Sequence, residues 1–217
     1  MDQWQIIWEA RELISSGLMN TLYLVLISMA LSIPLGALAA IVVIESPGWR
    51  KIFQEFFDLL RCVPFLLLAY VMYYGLPSLG VRLSPWESGI VTLVLYNMAY
   101  FVEIFVTAYK AISRADVEAA DAYGFSSLQK YRHVIFPQIV LISAPLVGNQ
   151  IITAMRDSAL LMIITVQELT FAANFISVNH FIPFLPFVVA VALYTLITLV
   201  VERGVASISN VRKRCYG

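Results

Sequence analysis

The chain has 217 residues, 60% of them hydrophobic and only 13% charged, with a formal net charge of zero. A water-soluble domain is about 45–50% apolar and about 25% charged. That composition, with a mean hydropathy of +0.82, excludes an ordinary soluble protein and points to a polytopic membrane protein, and the zero net charge gives no reason to expect a nucleic-acid partner. The two cysteines, Cys62 and Cys215, make neither a disulfide framework nor a metal site. At the N-terminus, residues 1–17 lack a basic leader and a cleavage site, so no secretory signal is expected. Residues 4–16 interleave Trp4, Ile7, Trp8 and Leu13 with Glu9, Arg11 and Glu12. This suits a short helix at the headgroups, or simply the aromatic belt of the first span.

The first span is expected over residues 21–44, uncharged and long enough for a bilayer that needs about 20 residues. Pro34 and Gly36 within it predict a kink, and Pro47-Gly48 marks a tight turn at 45–51. A second span over about 53–79 is interrupted by Arg61 and Pro64. A third, over 88–109, carries Glu103 near its end. Residues 114–137 form the longest charged stretch and read as two short helices with a hinge. Asp116 is a candidate cap for the first helix, and Gly124 is suited to close it in the left-handed conformation. Ser126 and Gln129 fit a capping box that starts the second helix. Pro137 is expected to end this module and begin the next helix.

Beyond the module come apolar residues 136–155, then Arg156-Asp157, then shorter segments at 159–166 and 169–177, and a last span at 181–201. With residues 114–137 in the cytoplasm and five crossings, Arg50, Lys51, Lys110, Arg114, Lys130, Arg132, Arg203, Arg212, Lys213 and Arg214 all fall inside. Only Arg11 and Arg82 remain outside, as the positive-inside rule requires. Six crossings would export the tail basic residues 212–214. Five spans are therefore expected, the fourth broken around Arg156-Asp157, with the N-terminus outside and the C-terminus inside.

Charges inside spans cost at least about 2.5–3.5 kcal/mol each at the bilayer centre. Arg61, Glu103, Arg156, Asp157 and Glu168 are the candidates. For Arg61 and Glu103, a functional role and a structural one, by pairing or snorkelling, stand equally open. Arg156-Asp157, followed by Ser158, interrupts a long apolar stretch. Broken helices at membrane depth are where transporters tend to bind solutes, so a solute contact is the favoured reading. Asp157 would then offer a carboxylate to a cationic or ammonium group; otherwise it is a structural partner of Arg156. His133 and His180 lie far apart without a carboxylate at ligand spacing, so no metal or cofactor is expected. No phosphate-binding G-x-x-x-x-G-K-[S/T] loop occurs, so any ATP must be hydrolysed by a separate subunit. No hydrolase motif supports an intramembrane enzyme.

Glu118-Ala119-Ala120, Gly124 and Pro137 stand at the spacing of a cytoplasmic loop, EAA-x3-G-x9-I-x-L-P, and the chain so resembles the membrane subunits of bacterial ABC importers. Val134 and Phe136 replace the usual Ile and Leu. The segments FVEIFVTAY (101–109), VEAADAYGFS (117–126), VIFPQ (134–138) and RDSALLMIITVQEL (156–169) are similar to the polar amino-acid permease branch. That branch typically reads aEifRgg, xEAAraLGls, vilPQa and KdTSLxsvIgvxEL, and the likeness extends from Gly17-x-x-x-Thr21-Leu22 to the last span. Arg61 and Pro64 match the branch's R-x-x-P, with Cys62 and Val63 in place of its small polar pair. Two departures bear on function. Val106 replaces the branch's arginine, and Arg156-Asp157-Ser158-Ala159 replaces its Lys-Asp-Thr-Ser.

The resemblance implies an all-α, MetI-like fold forming one permease domain over residues 1–217. Within it lie an N-terminal interfacial helix (1–16), a membrane core (17–208) and a cytoplasmic coupling loop (111–137). It further implies a non-enzymatic permease subunit of the bacterial inner membrane that imports a polar amino acid or similar solute. Its partners would be a second permease subunit, cytoplasmic ATPases contacting Glu118, Ala119, Ala120, Gly124 and Pro137, and a periplasmic solute-binding protein. Arg61, Glu103, Arg156, Asp157 and Ser158 are the candidate pathway residues. An ion-coupled secondary transporter is the alternative, with Glu103 and Asp157 as ion sites, though no inverted repeat is evident and five spans do not halve.

Overall fold

The computed structural model describes residues 3–46 and 48–216, with side chains as far as Val205. Among these residues every regular element is helical. The tail basic side chains of Arg212, Lys213 and Arg214 lie outside the described residues, as does Cys215.

Helix α1 (Gln3–Glu9) carries the exposed Trp4 and Trp8, and a break at Ala10 separates it from α2 (Arg11–Glu45). Residues 4–16 are thus not one helix, since Leu13 already belongs to α2. Pro34 does not interrupt α2. Gly36 is needed there for a close crossing: a Cβ on it would lie 2.6 Å from the Phe101 Cβ. Helix α3 (Arg50–Cys62) is amphipathic, burying Phe57 against Val43, Ala99 and Val102 while Lys51 and Glu55 face outward. It meets α4 (Phe65–Tyr70) at Val63-Pro64. There the chain bends by 95°, because proline disfavours helical geometry in the residue before it. The expected second span is therefore a bent pair rather than a rod. Counting that pair as one crossing gives five spans, and leaving it out gives four.

After α4 a π-turn and a 3-10 turn (Leu76–Leu79) end at left-handed Gly80. Helix α5 (Pro85–Lys110) starts from a complete capping box between Ser84 and Glu87. The core lies between α2, α4, α5 and the following long helix, around Leu24, Phe65, Leu93, Phe101, Met155 and Leu161. One buried polar tie crosses it, from the Gln150 side-chain N–H to Asn97 at 2.8 Å.

Two expectations for the charged stretch hold and two need correction. Helix α6 (Arg114–Ala122) ends at left-handed Gly124 (φ 73°), and α7 (Ser127–Lys130) begins with the Ser126–Gln129 capping box. However, the residue before α6 is Ser113, and Asp116 sits in the first turn, where it accepts a hydrogen bond from Gln138 at 2.9 Å. Nor does Pro137 close the module. From Ser127 the helix runs on through a π-turn (Tyr131–Ile135) into α8 (Phe136–Ser158). In that wider turn the Phe136 N–H reaches the Tyr131 carbonyl. The extra residue re-spaces the backbone just where proline would otherwise clash with a preceding carbonyl.

The break expected at Arg156-Asp157 lies farther on. Helix α8 passes through both residues, tightens into a 3-10 turn (Ala159–Ile164) and stops at left-handed Thr165. Helix α9 (Leu169–His180) then starts at Glu168, and α10 (Leu185–Tyr216) follows left-handed Phe181.

Candidate functional site

The charged stretch forms an exposed hairpin whose shape is fixed by its own residues. Gly124 donates to Asp121 and Phe125 to Ala120, at 3.0 and 3.1 Å, the paired bonds of a left-handed helix end. Lys130 pairs with Asp121 at 2.7 Å, tying α7 to α6, and Asp116–Gln138 ties α6 to α8. Tyr131 donates to Glu45, which links the hairpin to the end of α2. The hairpin is thus braced to the membrane helices at two points. Glu118 and Ala119 face outward, with Tyr123 and Leu128 both about four-fifths exposed (83% and 78%). Ala120, expected to face a partner, is instead buried against its own chain, and its carbonyl is taken by Phe125. Between α6 and the π-turn lies a cavity of about 350 Å3, lined by Ala119, Tyr123, Phe125, His133 and Gln138. Solvent-facing aromatic and aliphatic side chains around a braced hollow suit docking.

The intramembrane charges fall into separate places. Arg61 reaches Glu103 at 3.7 Å, forms a closer ion pair with Asp58, and stacks 5.9 Å above the Tyr100 ring. Glu103 also accepts from Thr107 at 3.0 Å. This pair joins α3 to α5 across 42 residues of sequence. The Tyr100 hydroxyl lies 3.3 Å from that of Tyr96, which interacts electrostatically with Asp157. A polar row therefore runs from α3 along α5 to α8.

Arg156, Asp157 and Ser158 diverge because successive helical residues point about 100° apart. Ser158 is fully buried, its hydroxyl donating to the Met155 carbonyl at 2.7 Å. Arg156 is exposed and lines a cavity of about 480 Å3 with Tyr194, Thr195, Thr198 and Glu202 from α10. A guanidinium, a carboxylate and hydroxyls in one hollow can hold a zwitterion, since each ionic end meets an opposite charge. Glu202 escaped the sequence reading because it stands at the end of an apolar run, where a charge looks interfacial.

Glu168, already a candidate as a charge among apolar segments, receives its role from the fold. It is fully buried, and its carboxylate accepts from the Thr170 and Phe171 N–H groups at 2.8 and 2.7 Å and from the Tyr194 hydroxyl at 2.7 Å. Nearby, the Leu169 N–H donates to Thr21 at 3.1 Å and Asn20 donates to the Gln167 carbonyl at 2.7 Å. The chain break is therefore locked to α2 and α10. Among the described residues no three or more His, Cys, Asp or Glu side chains are grouped so as to hold a metal.

Residues 32–210 match the family described as binding-protein-dependent transport system inner membrane component. The chain is 27% identical over 214 residues to the probable glutamine ABC transporter permease protein GlnM of Bacillus subtilis, covering 97% of this chain and 98% of that protein. It is 30% identical over 204 residues to the histidine/lysine/arginine/ornithine transport system permease protein HisQ of Salmonella typhimurium, covering 88% and 89%. The fold is similar to that in the crystal structure of an amino acid ABC transporter with histidines. The TM-score is 0.89 at 24% identity, and 97% of this chain and 98% of that one are covered.

Proposed function

The chain belongs to the family of inner membrane components of binding-protein-dependent transport systems, and on that premise we propose that it forms the solute pathway of an ATP-driven importer for a polar amino acid or similar zwitterion. The observation that carries the solute class is the cavity that Arg156 shares with Glu202 and three hydroxyl side chains. In this reading Arg156 meets the solute carboxylate and Glu202 its ammonium group. The named relatives are a probable glutamine permease and a histidine/lysine/arginine/ornithine permease, which agrees with that chemistry. Asp157 stands beside Tyr96 on another side of α8 and serves the same pathway with Arg61 and Glu103, while buried Ser158 shapes the helix behind them.

The hairpin at 114–130 faces the cytoplasm and receives the ATPase subunits through Glu118, Ala119, Tyr123 and Leu128. Gly124 sets the angle between its helices, and Pro137 lies at the base. The N-terminus faces the periplasm, where a solute-binding protein delivers cargo, and the C-terminus faces the cytoplasm. A second permease subunit completes the pathway. ATP-driven closure of the ATPases would move the braced hairpin as one body and tilt the spans it is tied to. An ion-coupled carrier would need neither the hairpin nor a partner.

Reconstitution with the partner subunits and binding protein in proteoliposomes tests this. Uptake should require ATP and survive a protonophore. Arg156→Gln should cut uptake at least tenfold while hairpin-dependent ATPase assembly persists. Uptake driven by a proton or sodium gradient without ATP would refute the importer reading. Unchanged uptake in Arg156→Gln would refute the solute site.

A further inference from the structure

A second cavity, of about 410 Å3, shares no lining residue with the Arg156 hollow and is almost entirely apolar. It runs between α2, α5 and α8, with Ile33, Ala37 and Ile41 on one wall, Phe105 on the second, and Ile139 and Val147 on the third. It is a groove rather than a sealed void, since Ile41, Phe136 and Val140 on its lip are about half exposed (50%, 63% and 45%). These three helices are long and apolar enough to cross a membrane. A groove with hydrocarbon walls attracts no water, because a buried water needs two to four polar partners. At about 30 Å3 per water-sized unit it has room for on the order of a dozen methylene-sized groups.

One end of this groove opens onto a polar one. Ile44 and Tyr109 line both, and the adjoining hollow adds Glu45, Arg50 and Lys110. These residues stand where α2 and α5 end and α3 begins, the level at which membrane helices meet lipid headgroups. The charges there are unequal. Glu45 already accepts the Tyr131 hydroxyl, whereas Arg50 and Lys110 have no ion-pair partner among the described residues.

We propose that this compound groove is a binding site for one anionic membrane phospholipid, its acyl chain lying between α2, α5 and α8 and its phosphate between Arg50 and Lys110. The apolar length sets the chain's place and the two cations set the headgroup's sign. The occupant would fill the seam between α2 and α8 beside Tyr131, the residue that braces the hairpin to α2. The site does not depend on which solute the chain carries.

The complex, purified from membranes in mild detergent, should retain phosphatidylglycerol over phosphatidylcholine in native mass spectrometry. Each basic residue near a membrane surface contributes about fivefold to anionic-lipid binding, so Arg50→Gln with Lys110→Gln should weaken phosphatidylglycerol binding about 25-fold and leave phosphatidylcholine unchanged. Ala144→Phe, which narrows the groove without touching the charges, should lessen retention of phosphatidylglycerol at least tenfold. Equal retention of the two lipids by the unmodified complex overturns the proposal, even where a variant fails to fold. So does undiminished binding in the double variant. In a background with Cys62→Ser and Cys215→Ser, quantitative disulfide formation between Val140→Cys residues of two copies would also overturn it, because a second chain would then cover the groove.

Discussion

Two helix ends 41 residues apart share one hydrogen-bond pattern and differ in almost everything else. At the hairpin, Gly124 donates to Asp121 and Phe125 to Ala120; after α8, Thr165 donates to Met162 and Val166 to Leu161. Both pivot residues are left-handed, with φ of 73° and 64°. In the hairpin the pivot is glycine, and nothing would crowd a Cβ there. After α8 the pivot is a β-branched threonine, itself exposed but flanked by the fully buried Leu161, Ile164, Val166 and Glu168. A left-handed β-branched residue persists only where its surroundings over-determine it, at a cost of about 1–3 kcal/mol. The hairpin thus bends because its sequence prefers to, and the core breaks because burial and the Glu168 cap compel it.

The contrast is open to test by breaking each turn at its own support. Removing the core support should cost most. Glu168→Ala takes the acceptor from the part-buried Thr170 and Phe171 N–H groups and leaves the Tyr194 hydroxyl with Thr170, and each unsatisfied group is worth about 1–3 kcal/mol. Thermal unfolding of the purified complex should show a loss of about 3 kcal/mol or more. A loss under about 1 kcal/mol would mean that packing alone holds the break. In the hairpin, Gly124→Ala changes only backbone preference and should cost about 1 kcal/mol locally, read as faster hydrogen exchange at Phe125 with the membrane spans unaffected.

Thr165→Gly sharpens the comparison from the opposite side. Glycine relieves the left-handed strain of about 1–3 kcal/mol but adds chain entropy worth about 0.5–1 kcal/mol, so stability should hold or rise by up to about 2.5 kcal/mol. A clear loss would show that the threonine side chain makes a contact of its own. Smallest of all, Lys130→Gln removes the pair with Asp121 and should cost about 0.2–1 kcal/mol, seen only as increased exchange at the α6–α7 junction.

The same contrast explains what could be read from the chain alone. The hairpin was legible because its signals are local: a glycine where the helix must reverse, and Ser126–Gln129 at capping-box spacing. The uncharged runs likewise announced the spans. Thr165 carries no such signal, since nothing in its type asks for a left-handed backbone, whereas the charges at Arg156-Asp157 suggest a break that α8 does not make. Helix α8 carries those two charges without breaking because Arg156 opens into a cavity and Asp157 lies near Tyr96. The π-turn before Pro137 was hidden for a related reason, as one added residue in a helix leaves no mark in composition. The pairing of Arg61 with Glu103 and the sharing of a cavity by Arg156 and Glu202 need helices to be placed in space.

The claim at the centre of this account is that the hairpin transmits ATPase closure to the spans as a braced body whose angle is set at Gly124. Gly124→Asp adds a charge and a strained left-handed side chain at an exposed surface, outside the hydrocarbon. The decisive measurement is solute-stimulated ATP hydrolysis by the reconstituted complex carrying this substitution. The expected result is normal membrane insertion with stimulation reduced at least tenfold and uptake lost in parallel. Full stimulation and uptake at the unmodified rate would contradict the account and leave the hairpin a connection between two spans.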